Sequence, residues 1–375
     1  MLEERTIYRK PNQANLEVKN AYTRDRAGRI TRLTHTLNGK SNILADYVHD
    51  DIGRLKQKKI LPQGFAFPDY ITRQASTPNP TTDVAAKAVT LLPGFVTTPT
   101  QTYAACISNG LIIGPIQTVD YAYHIRGGLR AINPLLGGAG VGLNAAENDL
   151  FALKLEREED GRYYNGQISK QSWKSKTDNQ NRSFTYTYDQ ADRFKNASYA
   201  GKVGENYNLT GLTYDQNGNI QTLQRSGQTN TGAWGQIDNL SYDYSSKINQ
   251  LANITDAAST TKGFQSVGSG GYTYYPDGSL KSDANRGIDN IVYNYLGLVE
   301  KLELTNGRSI EYVFTADGQK LRKTIKETGK ADFVVDYVGN LIYHDGQLVS
   351  IDTPEGRAVP LDSTNQDFYL PVFLQ

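Results

Sequence analysis

Asp215, Asn217 and Asn219 alternate in the stretch Tyr214-Asp-Gln-Asn-Gly-Asn-Ile220, the oxygen pattern that opens a calcium loop. A calcium loop also needs Gly at its sixth position and a bidentate Glu at its twelfth, where this chain has Ile220 and Ser226. Asn and Gly tolerate positive φ, so the same residues read as a tight turn between two strands. The four histidines, His35, His49, His124 and His344, are scattered and form no His-Glu-x-x-His pair, so each reads as a strand or turn residue and no metal site is expected. Cys106 is the only cysteine and sits among apolar residues, which excludes an internal disulfide and makes an inert thiol the expectation.

Other stretches resemble chemical motifs and fail on the residues those motifs need. Glu156-Arg-Glu-Glu-Asp160 concentrates carboxylates, but glycoside hydrolysis needs two of them facing across a cleft, and a run at a hairpin tip is a solvated turn. Asn38-Gly39-Lys40-Ser41 has the end of a phosphate-binding loop, with Thr34 where its first Gly belongs, and reads as a hairpin turn. Gly138-Ala-Gly140-Val-Gly142 approaches a dinucleotide fingerprint, with Leu143 where the third Gly belongs. No Gly-x-Ser-x-Gly elbow occurs. The chain therefore reads as non-enzymatic, with no catalytic residue and no cofactor. Tyrosines are the remaining candidates. Tyr121, Tyr123, Tyr242, Tyr244, Tyr272 and Tyr274, if they share an exposed sheet face, could stack sugars or nucleobases; packing within the sheet is the more economical use of them.

The elements that must position these rings follow from composition. The 375 residues include 25 Tyr, 11 Phe, 2 Trp, 35 Gly and one Met. Tyr suits a sheet surface, where the ring packs and the hydroxyl reaches an edge, and Gly and Asn supply turns, so the fold class is all-β. A net charge of +1 gives no field to draw nucleic acid, an acidic partner or an anionic membrane. No run approaches the length of a membrane span, and Met1-Leu-Glu-Glu-Arg-Thr lacks the regions of a signal peptide.

Internal repeats organise the chain. Tyr-x-x-Asp-x-x-Gly-Arg-Ile begins at Tyr22 and a close variant at Tyr47; related units begin at Tyr186, Tyr214, Tyr242, Tyr272, Tyr293 and Tyr312. Each is an alternating strand, an Asp/Asn/Gly turn and a second strand: a β-hairpin. Isolated hairpins are marginal in water, so consecutive ones must pair edge to edge into a long sheet. Residues 1–60 read as N-terminal hairpins, 61–116 as a Pro/Thr-rich irregular insertion with at most a short helix around Asp83 to Ala88, 117–352 as the main array, and 353–375 as a tail that packs through Phe368, Tyr369 and Phe373. Residues 127–142, dense in glycine, read as a second irregular crossing.

The Tyr-Asp-x-x-Gly-Asn/Arg-Ile/Leu units resemble the RHS/YD-repeat family, whose hairpins spiral into a hollow β-shell. Thr118-Val-Asp-Tyr-Ala-Tyr-His-Ile-Arg-Gly, Tyr164-Asn-Gly-Gln-Ile, Arg286-Gly-Ile-Asp-Asn-Ile-Val-Tyr-Asn-Tyr and Thr353-Pro-Glu-Gly-Arg are similar to the form seen in Bacteroidetes-type RHS proteins. The resemblance covers about residues 20–60 and 117–357. It departs at Gly128, where the family commonly has Trp, and after Arg357, where the family's His-Leu-Gly and Asp-Pro-x-Gly motifs do not occur. What it implies is a structural scaffold, secreted or at the cell surface, that encloses or displays a polypeptide cargo or joins partner RHS segments in a polymorphic-toxin system. It also implies a truncated member that neither processes itself nor carries its own toxin. The alternative is an adhesive module that binds glycans through exposed tyrosines.

Overall fold

Side chains that alternate in polarity form strands, and an Asx-x-x-Gly interruption turns them back on themselves. The computed structural model describes residues 2–8, 15–61, 70–73, 82–85, 88–91, 104–107, 115–135, 141–147, 149–158, 161, 163–244, 249–258, 260–268, 270–360 and 368–369. Among these, every regular element is a strand except two single turns of 3-10 helix, Ala145–Glu147 and Ala284–Arg286. The expected all-β class is what the chain adopts. An antiparallel sheet of 15 strands runs from Leu2–Tyr8 to Asn253–Asp256 and a second of 11 from Tyr272–Tyr274 to Phe368–Tyr369, each pairing strands in sequence order, with residues 61–116 left out of the order.

The repeat hairpins share one local geometry. Register slips at the residue just before the turn: between Thr187 and Tyr188, Thr213 and Tyr214, Thr273 and Tyr274, and Val292 and Tyr293. One residue of the returning strand is left without a partner in the ladder, namely Lys195, Gln221, Lys281 and Glu300, and all four are exposed. This is a three-residue loop closed by a β-bulge, which needs a left-handed residue at its end. Gly218 supplies it at φ 88, and Asp192 holds the same place in its hairpin at φ 61.

Residues 61–116 leave and re-enter between neighbouring strands, because Leu55–Ile60 pairs directly with Gln117–Tyr123 through Ile60↔Gln117 and Gln57↔Asp120. The short helix allowed for Asp83 to Ala88 is not formed where the segment is described. Thr82–Ala85 and Ala88–Leu91 are strands in parallel pairs, with Ala104–Ile107 and Tyr70–Arg73 respectively; the β-branched Thr82, Val84, Val89 and Thr90 favour that outcome. Residues 127–142 are likewise not wholly irregular, since Leu129–Ile132 pairs with strands on both sides. Beyond residue 352, Gly356–Pro360 extends the sheet and Phe368–Tyr369 pairs with Val359 and Pro360. The expected packing of Phe368, Tyr369 and Phe373 lies outside the described side chains.

The chain divides into two compact units. The first holds both ends, residues 1–120, 146–148 and 333–375. Its apolar cluster joins Val18 and Leu37 from the first strands to Leu341, Leu348, Ile351 and Ala358 from the last, with Tyr8, Leu16 and Tyr343 packed against it. A second cluster gathers Leu33, Leu44, Ile60 and Leu61. Polar contacts fasten the two ends: the Tyr8 hydroxyl donates to Asn340 Oδ1 at 2.5 Å, and the Glu355 carboxylate takes both the Tyr47 hydroxyl and the Lys58 ammonium. Glu355 belongs to the Thr353-Pro-Glu-Gly-Arg stretch, so that motif reaches back to the second Tyr repeat.

The second unit, residues 121–145 and 149–332, has few fully buried apolar side chains, among them Ala131, Ala152, Ala197, Leu212, Leu240 and Ile291. Half-buried rings cover the rest of its apolar face, and backbone pairing within each sheet carries much of the cohesion.

In the first unit His35 is buried with 1% exposure. Its Nδ1 contacts Asn20 Oδ1 at 2.6 Å, and Nε2 has no partner. Burial pushes its pKa down to about 4, whereas the unfolded chain takes the proton near 6.5. The unfolded state thus binds more protons between these values, and stability falls as pH drops from about 6.5 to about 4. Thermal unfolding across that range is expected to show this slope in the native chain and lose it in His35→Gln.

Candidate functional site

In four repeats an Asp builds its own turn. Asp189 Oδ1 accepts the backbone N–H groups of Ala191 and Arg193 at 2.9 Å each, and Oδ2 accepts Arg193 Nε at 2.7 Å. Asp215 does the same with Asn217 N, Asn219 N and Asn219 Nδ2, and Asp25 and Asp50 with the amides and guanidinium of Arg29 and Arg54. These hydrogen bonds favour the ionised form. The Asp215 carboxyl is held below its ordinary value chiefly by the Asn219 side chain, with the turn amides adding to it. The calcium-like spacing of the 214–220 stretch is therefore a turn, and its carboxylate oxygens are engaged by N–H groups.

The closing residue reaches on to the next hairpin. Arg193 Nη1 donates to the Asp215 carbonyl at 3.3 Å, Arg29 Nη1 to the Asp50 carbonyl at 3.0 Å, and Asn219 Nδ2 to Asn249 Oδ1 at 2.7 Å. Tyrosine reaches the other way. Tyr188 donates its hydroxyl to the Ile168 carbonyl, Tyr214 to Phe194, Tyr274 to Leu251 and Tyr293 to Leu280, at 2.6 to 2.9 Å. In each pair the acceptor lies at the start of the preceding hairpin's returning strand. The Tyr before each of these turns, followed by Asp189, Asp215, Tyr275 and Asn294 in turn, thus ties the turn to the previous one.

On the apolar face of the second unit the rings meet in an unbroken path. Trp173 stacks on Phe184 at 5.5 Å, Phe184 meets Tyr199 at 5.3 Å and Tyr186 at 6.1 Å, and Tyr186 meets Phe194 at 5.7 Å. Tyr199 continues edge-on to Tyr207 at 5.0 Å and Tyr207 to Trp234 at 4.7 Å, while Tyr188 links Phe194 to Tyr163. Cross-strand register fixes this alignment, with Phe184 opposite both Gln171 and Tyr199. The six tyrosines singled out from sequence lie elsewhere. Tyr121 and Tyr123 are half-buried on Gln117–Tyr123. Tyr242, Tyr244, Tyr272 and Tyr274 come together: burial is the first cause raising the pKa of Tyr242 and Tyr274, and the charges of Tyr244 and Tyr272 add to it in both. All four are half-buried. The aromatic path was legible only as the period of two in Phe184-Thr-Tyr-Thr-Tyr188.

The remaining candidates find local partners. His124 contacts Glu158 Oε1 through Nε2 at 2.9 Å, while its Nδ1 accepts the Arg126 amide at 3.2 Å, so both ring nitrogens have local partners. Glu156 pairs with Lys154 at 2.6 Å; Glu159 and Asp160 lie outside the described residues, as do Gly138, Gly140 and the Cys106 side chain. Asn38 and Gly39 take φ 46 and 80 at a hairpin turn, as the sequence suggested. Among the described residues no three His, Cys, Asp or Glu converge as metal ligands, and no helix is long and apolar enough to cross a membrane. What the arrangement offers is a broad aromatic surface on a sheet whose turns are tied one to the next.

No family model and no curated protein matches the chain. Among solved structures its fold matches the crystal structure of TcdB2-TccC3-TEV, with a TM-score of 0.50 and 13% identity over 92% of this chain and 16% of that one. TcdB2-TccC3 follows at 0.39 and 11% identity over 92% and 21%. A porin-like protein from Bacteroides uniformis stands at 0.21 and 11% identity over 91% and 92%. The chain spans about a sixth of the length of the first of these. It shows an RHS-like fold.

Two outcomes test the turn chemistry. Tyr214→Phe, which deletes only the hydroxyl bound to the Phe194 carbonyl, is expected to cost about 1 kcal/mol in denaturant unfolding. Millimolar calcium is expected to leave the thermal transition unchanged, and calorimetry to record no binding heat.

Proposed function

We propose that this chain is a non-enzymatic segment of an RHS-type wall that encloses or displays another polypeptide, within an exported toxin system of the Bacteroidetes type. The observation that carries this reading is the tied hairpin array with its continuous aromatic face, in a fold like that of TcdB2-TccC3-TEV. The work of such a wall is physical. Rings on a sheet offer apolar contact to a guest of any sequence, because dispersion and burial are not directional. Backbone pairing from strand to strand excludes water and proteases without needing a catalytic group. Partner RHS segments would extend the array, and the secreted or surface location follows from that role.

An adhesive reading keeps one observation of its own. Tyr207, 44% exposed, stands edge-on to Trp234 at 4.7 Å, a pair of the kind that stacks on sugars. The deciding experiment is purification from the native source, with mass analysis of anything bound and protease challenge before and after denaturation. A co-purifying polypeptide that resists protease until the wall unfolds is the expected result. A solitary chain that binds a glycan array, and loses that binding in Tyr207→Ala while staying folded, would overturn the wall in favour of the adhesive module.

A further inference from the structure

The strand ladder of the array is interrupted between two of its hairpins. Ladder pairing runs from Trp234–Asp243 to Asn253–Asp256 through four register pairs and resumes between Tyr272–Tyr274 and Leu280–Asp283. Between these two sheets, among the described residues, no register joins Asn253–Asp256 to Tyr272–Tyr274. The contacts that cross are few: the Tyr272 amide donates to the Ala252 carbonyl at 2.8 Å, the Tyr274 hydroxyl to the Leu251 carbonyl at 2.9 Å, and Asn285 Nδ2 to Asn253 Oδ1 at 3.4 Å. Tyr242 and Tyr244 on one side and Tyr272 and Tyr274 on the other are half-buried near the seam.

Residues 260–268 lie across it and hold both sheets. On the first sheet, the Asp238 carboxylate, 1% exposed, takes the Phe264 amide at 2.5 Å and Arg225 Nε at 2.5 Å. Asn230 Oδ1 on the same side takes the Thr261 hydroxyl at 2.7 Å, the Thr261 amide at 3.2 Å and the Thr260 hydroxyl at 3.1 Å. On the second sheet, Asn285, 2% exposed, meets the Ser266 hydroxyl through Oδ1 at 2.8 Å and the Val267 amide through its carbonyl at 3.0 Å. The fit at Gly263, φ 78, is close enough that a Cβ would collide with the Asp238 carboxylate and the Ile237 carbonyl oxygen. Buried polar anchors on both sheets, joined by one short segment over an unpaired line, make a fastening.

We propose that the array is hinged here: the sheet ending at Asn253–Asp256 and the sheet beginning at Tyr272–Tyr274 part and rejoin along this seam, and residues 260–268 are the strap that holds it shut. The inference concerns the sheets alone and stands whatever the wall encloses. The seam carries no register pair among the described residues, against four pairs in the ladder before it and three in the ladder after it, so it opens at a lower free energy than either. Such a joint lets one part of the array swing while hairpins on both sides stay formed.

Hydrogen exchange on the full chain tests this. In the native chain, amides of Asn253–Asp256 and Tyr272–Tyr274 are expected to exchange at least about tenfold faster than those of Trp234–Asp243 and Ile288–Tyr293. Gly263→Ala, which lifts the strap off Asp238 without deleting a buried charge, is expected to speed exchange about tenfold more within residues 249–274 and leave Asn181–Ala200 unchanged. Asn230→Ala, which removes only the exposed tether of Thr260 and Thr261, should act in the same place more weakly. Seam amides as protected as their neighbours would overturn the hinge. So would a variant that leaves the seam unaffected, or one that loosens both sheets equally.

Discussion

A carboxylate that takes two backbone amides of its own turn is the constraint on which this protein rests. A hairpin turn leaves N–H groups pointing inward with no ladder partner, and Asp or Asn at the turn's first position satisfies them. Once the turn is fixed, the bulge behind it sets the twist, and the Tyr beside the Asp is aimed at the previous hairpin. Each repeat is thereby specified locally and located relative to its neighbour by one hydroxyl and one closing side chain. No large buried core is needed, which is consistent with a second unit whose fully buried apolar residues include three alanines.

That local logic explains what the sequence made legible. Strands, turns and the all-β class follow from alternation and from Asx-x-x-Gly spacing, and the 38–41 and 214–220 stretches are turns for the reasons their residues give. Which rings share a surface depends instead on register, and each bulge shifts register by one residue. Tyr186 sits opposite Ala197, while Tyr188, two residues on, sits opposite Phe194. No local pattern reports such offsets, so the Trp173–Phe184–Tyr199 path was missed. Fastenings across hundreds of residues were equally hidden. Glu355 sits in a short motif that gives no sign of Tyr47 or Lys58, and the strands of residues 82–91 are stabilised by parallel partners a propensity argument cannot see.

The two kinds of joint in the array differ in chemistry as well as number. Most hairpins meet through a full ladder with a tied turn at its end. The seam near Tyr272 substitutes a strap anchored on buried Asp238 and Asn285 for that ladder. The tyrosine hydroxyl that locks neighbouring turns is kept there, in the bond from Tyr274 to the Leu251 carbonyl.

Pairing in sequence order also governs how the chain must come into being. Each hairpin of the second unit finds its partner in the strand just made, so loop closure costs little and the array can grow as the chain emerges. The first unit pairs its strands in the same way but adds contacts between distant segments. Val18, Leu37 and Tyr8 are synthesised early, yet their partners Leu341, Asn340 and Ile351 come at the far end, with 332 positions between Tyr8 and Asn340. Until those last strands arrive, the apolar face of the opening strands has nothing to cover it. The beginning of this protein is therefore the part that finishes folding last, and the interval between is when it is most open to misassembly.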